Sequence, residues 1–512
     1  MTKAGWNNSC VNKWGYVFFL SLACSFFASY VVIRGLVLGL TYDECTSIHL
    51  VAFFDPGRFF CNSNTHLVNS CYIALVRSLG WTFPFMYRAL NIGAFAVYAV
   101  SLYGIIGFFH RRWMRLVCFL GVLANPYTIE FFSLARGYGI SLTLLSVSLF
   151  FVLYTVGISQ KKRFFLCANL CAFLALLSNY SFFYFYCATT AVLLLAMVSK
   201  RRGFRSYTRA DMIRFLLLNG LGVGVVLFHS FLLYTKGELY YGAPGNFFST
   251  FISSGFPWGC LAPERFSLID TLLPWAGVFL IVYFLVALRT ARGTRRLGLF
   301  LGCIAVGSCI IPYILQRTCG VLYPVMRTSL WVWPLSLCFL FAVLKTRGVR
   351  RYRVRAGVLC LISLLLVSFF LMRMNFSYCT EWRYAADTQD ALQDLVLQTT
   401  RGETLFVSFA LYQPVWYYNT YVYNNWFQIA QYEKPWEYNY VREDLPGKWY
   451  HLPEGRFRPL VPESVAEIFR RPGWYYVPFD ARLYRLPGTP DRWRVVRWFP
   501  VSGCSLVYVP KQ

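Results

Sequence analysis

The chain has 512 residues, of which 57% are hydrophobic and only 14% are charged, and its mean hydropathy is +0.47. Because soluble globular proteins carry about a quarter charged residues, this composition excludes that class. The formal net charge of +27 would suit nucleic acid, but the basic residues lie in short clusters between apolar runs. That pattern sets the orientation of membrane proteins. We therefore expect a polytopic helical membrane protein, with membrane lipids around it and no nucleic-acid partner.

Apolar runs of about 18 to 25 residues follow one another as far as about residue 373, long enough to cross a bilayer as helices. Lys3 and Lys13 precede the first run, about residues 16–40, which predicts a cytoplasmic N-terminus. This run is too long for a signal-peptide core and lacks a small-residue cleavage site, so we interpret it as a retained anchor.

The remaining spans follow the same alternation, since every second loop is rich in Lys and Arg. The second predicted span covers residues 87–109, the third breaks at Asn125-Pro126 near Glu130, and the fourth ends near Lys161. The fifth, sixth and seventh cover 164–180, 183–198 and 214–234. The eighth ends near Arg289, the ninth near residue 315, the tenth near Lys345 and the eleventh near Arg373. About eleven spans, with the N-terminus cytoplasmic and the C-terminus outside, satisfy this bias. We expect a bacterial inner membrane.

The composition changes after Arg373 to charged, Tyr- and Trp-rich sequence with Pro and Gly turns. We therefore divide the chain into a membrane domain, 1–373, with extracytoplasmic loops at 41–86 and 235–268, and a soluble extracytoplasmic domain, 374–512. Within the latter, residues 385–399 are typical of an amphipathic helix, and 404–408, 474–477 and 505–509 are typical of strands. The predicted fold class is an all-α polytopic membrane protein with a C-terminal α/β domain.

Two adjacent carboxylates, Asp43 and Glu44, directly follow the first span. A charge at the edge of a bilayer must be solvated, paired or used. An acidic cap that ends the span at the interface is one interpretation. The other is a general base, which must be a carboxylate in a partly dry cleft. On a loop, adjacent side chains point in different directions, so one carboxylate can meet a substrate while an arginine holds the other.

Three arginines lie at the predicted outer ends of spans, where arginine is normally scarce: Arg136, Arg317 and Arg327. Each can be an ordinary interfacial arginine that extends toward water. A lipid phosphate or pyrophosphate would suit all three, because a guanidinium binds phosphate oxygens in a two-pronged geometry.

Further polar residues of the outer loops are candidates for substrate contacts. Asn64, His66 and Asn69 can converge at a turn that enters a short helix, although capping and loop hydrogen bonds are the more common role of such asparagines. Tyr240 and Tyr241 lie in an aromatic, glycine-rich loop that suits sugar rings or lipid headgroups. The 17 cysteines show no CxxC or zinc spacing, so we assign no metal, although His66 leaves a divalent metal open.

The order of these features resembles the GT-C glycosyltransferases, and among them the family 39-type enzymes, which include protein O-mannosyltransferases and the lipid A aminoarabinose transferase. Uncharacterised bacterial members of that superfamily are more similar still. The resemblance covers roughly residues 1–385. For the superfamily it is carried by Asp43-Glu44 after the first span, the long first outer loop, Ala135-Arg136-Gly137-Tyr138 at the head of the fourth span and the C-terminal outer domain. Four short stretches carry the narrower likeness to the bacterial members: Tyr42 to Glu44, Asn64 to Asn69, Tyr323 to Thr328 and Glu381 to Thr388.

The resemblance implies an inverting transferase that takes a hexose or pentose from a polyprenyl-phosphate carrier at the outer face. It implies that Asp43 is the base that activates an acceptor hydroxyl, that Glu44 assists or orients it, and that Arg136 binds the carrier phosphate. The acceptor is a protein, a lipid or a glycan. Many relatives have Tyr-Asp where this chain has Tyr384-Ala385, so that aspartate's role would be missing here.

Two alternatives stay open. A flippase or other transporter would carry charged residues in the middle of its spans, whereas the notable charges here lie at span ends. A lipid-linked glycan polymerase or ligase uses the same kind of donor at the same face. Such proteins usually place their chemistry in a large loop late in the chain rather than after the first span.

Overall fold

In a computed structural model of the protein, the described residues are 3–110, 112–158, 161–198, 207–236, 242–243, 245, 247, 251, 294–344, 349–432, 468–469, 471–478, 481 and 493–510. The chain divides into two compact units. The first, here called the membrane unit, holds Met1–Ile33, His66–Cys71 and Arg88–Met374. The second holds Arg34–Thr65, Tyr72–Tyr87 and Asn375–Gln512, and we call it the outer unit after the predicted location of these segments.

Eight helices of the described chain are long and apolar enough to cross a membrane: Trp14–Val37, Pro84–Gly107, Gly137–Gly157, Tyr180–Val198, Arg209–Thr235, Leu297–Cys319, Met326–Val343 and Arg353–Arg373. Three of these belong to longer helices, which are Lys3–Val37, Thr294–Cys319 and Val349–Arg373. Two open with a short 3-10 turn, so that their α-helices are Phe183–Val198 and Val332–Val343. The prediction of a polytopic helical membrane protein is confirmed.

The third predicted span is broken where the sequence places Pro126. A helix covers Arg112–Leu123, a second covers Pro126–Glu130, and a 3-10 turn follows at Phe131–Ser133. The two parts are bent by 71°. Proline cannot continue a helix because it lacks an N–H group, and the Asn125 side chain accepts a hydrogen bond from the Thr128 N–H at 3.0 Å. Asn125 therefore starts a new helix, and the predicted break is confirmed.

The fifth predicted span is a helix, Lys162–Ser178, that packs against Gly137–Gly157. Its 17 residues make it slightly shorter than a typical bilayer-crossing helix. The eighth predicted span and most of the predicted 235–268 loop lie outside the described residues. The total of eleven spans therefore stays a prediction.

Three helices form the first loop, and we number them α2 to α4 after the first span, α1. They are Tyr42–Ala52 (α2), Pro56–Phe60 (α3) and Leu67–Ser78 (α4). The expectation that Asp43 and Glu44 lie on an irregular loop was wrong, since both lie in the first turn of α2. By contrast, His66 and Asn69 do lie where a turn enters a helix.

The outer unit contains a five-stranded sheet in the order β2-β1-β3-β5-β4. Strand β1 (Thr404–Val407) is parallel to β2 (Gln428–Gln431) and to β3 (Gly473–Val477). Strand β5 (Cys504–Val509) is antiparallel to β3 and to β4 (Arg494–Phe499). The three predicted strands are β1, β3 and β5. The two edge strands were not predicted because edge positions tolerate polar and charged residues such as Gln428 and Arg494.

Two helices accompany this sheet. The predicted amphipathic helix covers Thr388–Gln398, after a 3-10 segment, Thr380–Ala385. The second helix, Phe409–Tyr421, was not predicted. It starts at Ser408, whose side chain accepts a hydrogen bond from the Leu411 N–H at 3.2 Å. Its aromatic sequence is more typical of strands, so tertiary packing decides its conformation. We call it the aromatic helix.

Candidate active site

The N-terminus of α2 holds both predicted catalytic carboxylates in a capping box. The Thr41 hydroxyl oxygen accepts a hydrogen bond from the Glu44 N–H at 3.3 Å. In return, a carboxylate oxygen of Glu44 accepts one from the Thr41 N–H at 2.9 Å. Asp43 and Glu44 are 4% and 0% exposed, and the helix dipole favours negative charge at this end. Glu44 therefore orients the turn that carries Asp43.

Asn64 lies beside the same helix. The Ser47 hydroxyl donates to the Asp43 carbonyl at 2.9 Å, and it also lies 3.4 Å from the Asn64 carbonyl. The Asn64 N–H donates to the Asn62 side-chain oxygen at 2.8 Å. These contacts are loop hydrogen bonds of the kind expected for asparagine-rich turns, and they place Asn64 next to the turn after Asp43.

The aromatic helix packs along α2 in parallel. The ring centres of Tyr42 and Phe409 are 5.9 Å apart, and those of His49 and Trp416 are 4.4 Å apart. Tyr42 and His49 are seven residues apart in α2, and Phe409 and Trp416 are seven residues apart in the aromatic helix. Seven residues make about two helical turns, so the two contacts lie along one face of each helix. The Tyr418 hydroxyl also accepts a hydrogen bond from the Leu40 N–H at 2.9 Å.

The same aromatic helix also contacts the end of the first loop. The Arg77 guanidinium donates to the Tyr421 hydroxyl at 2.8 Å, and the Tyr417 hydroxyl donates to the Thr82 carbonyl. The aromatic helix thus contacts the residue before α2 (Leu40), α2 itself, the end of α4 at Arg77, and Thr82 after α4. Sequence reasoning missed this helix, because no local pattern indicates which distant segment a Tyr- and Trp-rich stretch will contact.

In the membrane unit, asparagines fix the segment that carries Arg136. The Asn69 amide donates to the Ala135 carbonyl at 2.9 Å. The Asn91 amide donates to the Asn69 side-chain oxygen at 3.1 Å, and its own oxygen accepts from the Ile140 N–H at 3.2 Å. Asn69 thus makes structural hydrogen bonds. Asn91 was not predicted, although a polar residue inside an apolar span is itself a signal.

Three segments approach one another closely at Gly137. A Cβ atom at this position would lie 1.9 Å from the Ser178 carbonyl oxygen and 2.9 Å from the His66 Cβ. Only glycine fits so close an approach. Arg136 is the N-cap residue of the helix Gly137–Gly157, so the contact holds Arg136 next to His66 and the end of Lys162–Ser178.

His66 lies in a buried, positively charged environment. It is 5% exposed, and Arg136 and Arg327 are 1% and 8% exposed. Burial lowers the pKa of His66 well below its ordinary value of 6.5, and the charges of Arg136 and Arg327 lower it further. The nearby Ser178 carbonyl acts in the opposite direction. The centre of the His66 ring lies 5.3 Å from that of the Tyr138 ring, edge to face. We call His66, Arg136 and Arg327 the cationic cluster.

The other predicted site residues lie elsewhere. Arg317 is exposed in the last turn of Thr294–Cys319, with its guanidinium 5.6 Å from the ring centre of Tyr313. Tyr240 and Tyr241 lie outside the described residues. In the part of the chain that the structure describes, three or more His, Cys, Asp or Glu side chains nowhere gather closely enough to hold a metal ion.

The apolar helices define the chain as an integral multi-pass membrane protein. No protein-family model matches it, and neither does any curated protein. Two crystal structures of ArnT from Cupriavidus metallidurans share its fold. The apo form is 13% identical over 98% of both chains with a TM-score of 0.50. The form bound to undecaprenyl phosphate is 14% identical over 99% of this chain and 98% of that chain, also with a TM-score of 0.50. The predicted GT-C fold is therefore confirmed.

The arabinofuranosyltransferase AftD from Mycobacteria is more distantly similar. It is 13% identical, and the match covers 96% of this chain and 40% of that chain with a TM-score of 0.42.

Proposed function

We propose that this protein is an inverting glycosyltransferase that moves a sugar from a polyprenyl-phosphate carrier to an acceptor hydroxyl at the extracytoplasmic face of the membrane. The GT-C fold supports this proposal, since ArnT, which shares the fold, binds undecaprenyl phosphate. The acceptor is a protein, a lipid or a glycan.

The cationic cluster carries the proposal. Arg136 and Arg327 both lie close enough to the buried His66 to lower its pKa, so the charges of two buried arginines act on one position. Guanidinium groups bind phosphate oxygens with two parallel hydrogen bonds, and burial strengthens such charge-assisted contacts. We assign the donor phosphate to Arg136 and Arg327. Arg317 is a weaker candidate for the same role because it is exposed.

Asp43 is the proposed base. Its carboxylate takes the proton of the acceptor hydroxyl while that oxygen attacks the anomeric carbon of the sugar. The bond from this carbon to the phosphate oxygen breaks, and the lipid phosphate leaves with the bonding electron pair. Attack from the face opposite the leaving phosphate inverts the anomeric centre. Glu44 acts through the capping box that fixes the turn around Asp43.

Mass spectrometry of cells that carry Asp43→Asn tests this function and identifies the substrates. Surface glycans, glycoproteins and polyprenyl-phosphate sugars are compared with the wild type. We expect one glycan to lose a single sugar while a lipid-linked monosaccharide accumulates. The matched control is Asp55→Asn, since Asp55 is an exposed carboxylate that caps α3 in the same loop. Accumulation of whole lipid-linked oligosaccharides would favour a ligase or flippase instead, and unchanged glycans would contradict the proposal.

A further inference from the structure

His66 is buried without the hydrogen bonds that a buried imidazole normally makes. It is 5% exposed, and the Ser178 carbonyl lies near enough to act on the ring, but neither ring nitrogen has a hydrogen bond of ordinary geometry to any residue that the structure describes. Buried polar groups nearly always have partners, and an orphaned one in a native structure indicates a missing ligand or water. The ring therefore has one donor and one acceptor to offer to a molecule that binds there.

The surroundings of His66 hold the ring in place. Gly137 approaches the His66 Cβ so closely that no side chain fits between them. The Tyr138 ring packs against the imidazole edge to face. Residues 67 onward form α4, whose first turn is tied back because the Ser70 N–H donates to the His66 carbonyl at 2.7 Å. The imidazole is thus preorganised rather than free to swing toward another partner.

The charges around the ring select the ligand. Of the described groups, the charged ones that act on the imidazole are Arg136 and Arg327, and the titratable Tyr138 packs against it. Guanidinium groups favour an anion rich in acceptor oxygens as the molecule that binds beside the ring. With its lowered pKa, the imidazole is neutral at pH 7, so one nitrogen carries a proton and can donate it in a hydrogen bond to that anion.

We propose that His66 is a third, uncharged ligand of the lipid phosphate, donating its ring N–H to an oxygen of the same phosphate that Arg136 and Arg327 bind. This inference rests on the proposed function and assigns His66 a binding role. His66 keeps its proton throughout the reaction. The lipid phosphate therefore leaves as a dianion, and the proton of the acceptor hydroxyl stays on Asp43 until it passes to water.

Binding of undecaprenyl phosphate to the full-length protein in nanodiscs tests this assignment. We expect His66→Leu to weaken binding about tenfold, which is the effect of one hydrogen bond to a charged group. His66→Gln should stay within about threefold of the wild type because its amide N–H replaces the donor. His110→Gln is the control, since His110 is another buried histidine whose ring Nε2 contacts the Phe341 carbonyl at 2.8 Å. It should bind like the wild type.

The kinetics separate a ligand from a general acid. We expect His66→Leu to raise the KM for the lipid-linked sugar about tenfold while lowering kcat far less, whereas loss of a general acid would lower kcat about a hundredfold or more. Normal binding by His66→Leu while Arg136→Ala binds weakly would overturn the role of His66 alone. A kcat that collapses in His66→Gln at unchanged affinity would overturn it as well. Absence of binding by the wild type would overturn the proposed function together with this inference.

Discussion

The cationic cluster and the N-terminus of α2 are held in place by different means. In the membrane unit, glycine at position 137 lets three segments approach one another closely, and the buried Asn69 and Asn91 add hydrogen bonds to the segment that carries Arg136. In the outer unit, α2 is held by a capping box at its own first turn and by the aromatic helix, which begins at Phe409. The cationic cluster thus depends on the close approach of backbone segments at Gly137. The N-terminus of α2 depends on a helix more than 350 residues later in the sequence.

We therefore expect that the two proposed roles can be damaged separately. Changes at the backbone contacts of the cationic cluster should impair donor binding, whereas changes in the aromatic helix should impair the chemistry of Asp43. The C-terminal region would then serve the reaction by positioning the base, whatever acceptor it binds.

The largest effect is expected for Gly137→Ala. The added methyl carbon would lie 1.9 Å from the Ser178 carbonyl oxygen. Only a movement of the backbone can remove this clash. We expect most of the protein to be lost from the monodisperse fraction in size-exclusion chromatography in detergent. Gly93→Ala is the control, because nothing lies within 4 Å of the Cβ it would add. A well-folded Gly137→Ala protein with normal lipid binding would refute the close approach.

Trp416→Ala should lower kcat about tenfold to a hundredfold. It removes the ring that packs on His49 and Phe53 of the first loop, and small displacements of a catalytic group cost that much. Affinity for undecaprenyl phosphate should not change, and Trp416→Phe should recover most of the rate because it keeps an aromatic ring. If Trp416→Ala weakened lipid binding and left kcat intact, the separation of the two roles would be wrong.

Asn91→Ala tests the side-chain hydrogen bonds that Asn91 makes with Asn69 and with the Ile140 N–H, close to Arg136 in the sequence. It leaves the Ile140 N–H without a side-chain acceptor and removes a donor to Asn69, at a cost of about 1–3 kcal/mol in the free energy of unfolding. We expect a lower Tm and weaker binding of undecaprenyl phosphate. The matched change in the other region is Asn62→Ala, which removes the acceptor of the Asn64 N–H. Equal lipid affinity in both variants would contradict this account.

The smallest effect concerns pH. Because the pKa of folded His66 lies well below 6.5, the unfolded chain binds more protons between these two values, and stability falls as the pH drops below about 6.5. The slope from this one group is at most about 1.4 kcal/mol per pH unit. We expect the Tm of the wild type to fall more steeply between pH 6.5 and 5.5 than that of His66→Gln. Identical slopes would show that His66 does not titrate in this way.

Local sequence patterns predicted those parts of the fold that depend on neighbouring residues. The break at Asn125-Pro126 follows from proline chemistry, and the central strands follow from runs of apolar residues. The helix at Asp43 was missed, although Thr41 and Glu44 have the spacing of a capping box and so carried a readable signal. The conformation and contacts of Phe409–Tyr421 could not be read locally, because they depend on packing against residues 40–82.

The same limit applies to the site. Arg136 and Arg327 were selected by residue type and position at span ends, and His66 was selected from the polar turn at residues 62–69. In the structure the charges of both arginines act on the buried His66. Their proximity depends on Gly137 and on the segment at Ser178, which the sequence leaves unconnected. Arg317 has the same residue type and the same predicted side of the membrane, yet it is exposed, since position at a span end does not determine burial.

The most direct measurement is the affinity of undecaprenyl phosphate for three forms of the purified protein in nanodiscs: the wild type, Arg136→Ala and Asp43→Asn. We predict that Asp43→Asn binds as tightly as the wild type while losing transfer, and that Arg136→Ala binds at least tenfold more weakly, as expected for a lost charge-assisted contact. If Arg136→Ala bound the lipid normally, or if Asp43→Asn lost binding to the same extent, the division between a donor-binding cluster and a catalytic helix would be wrong.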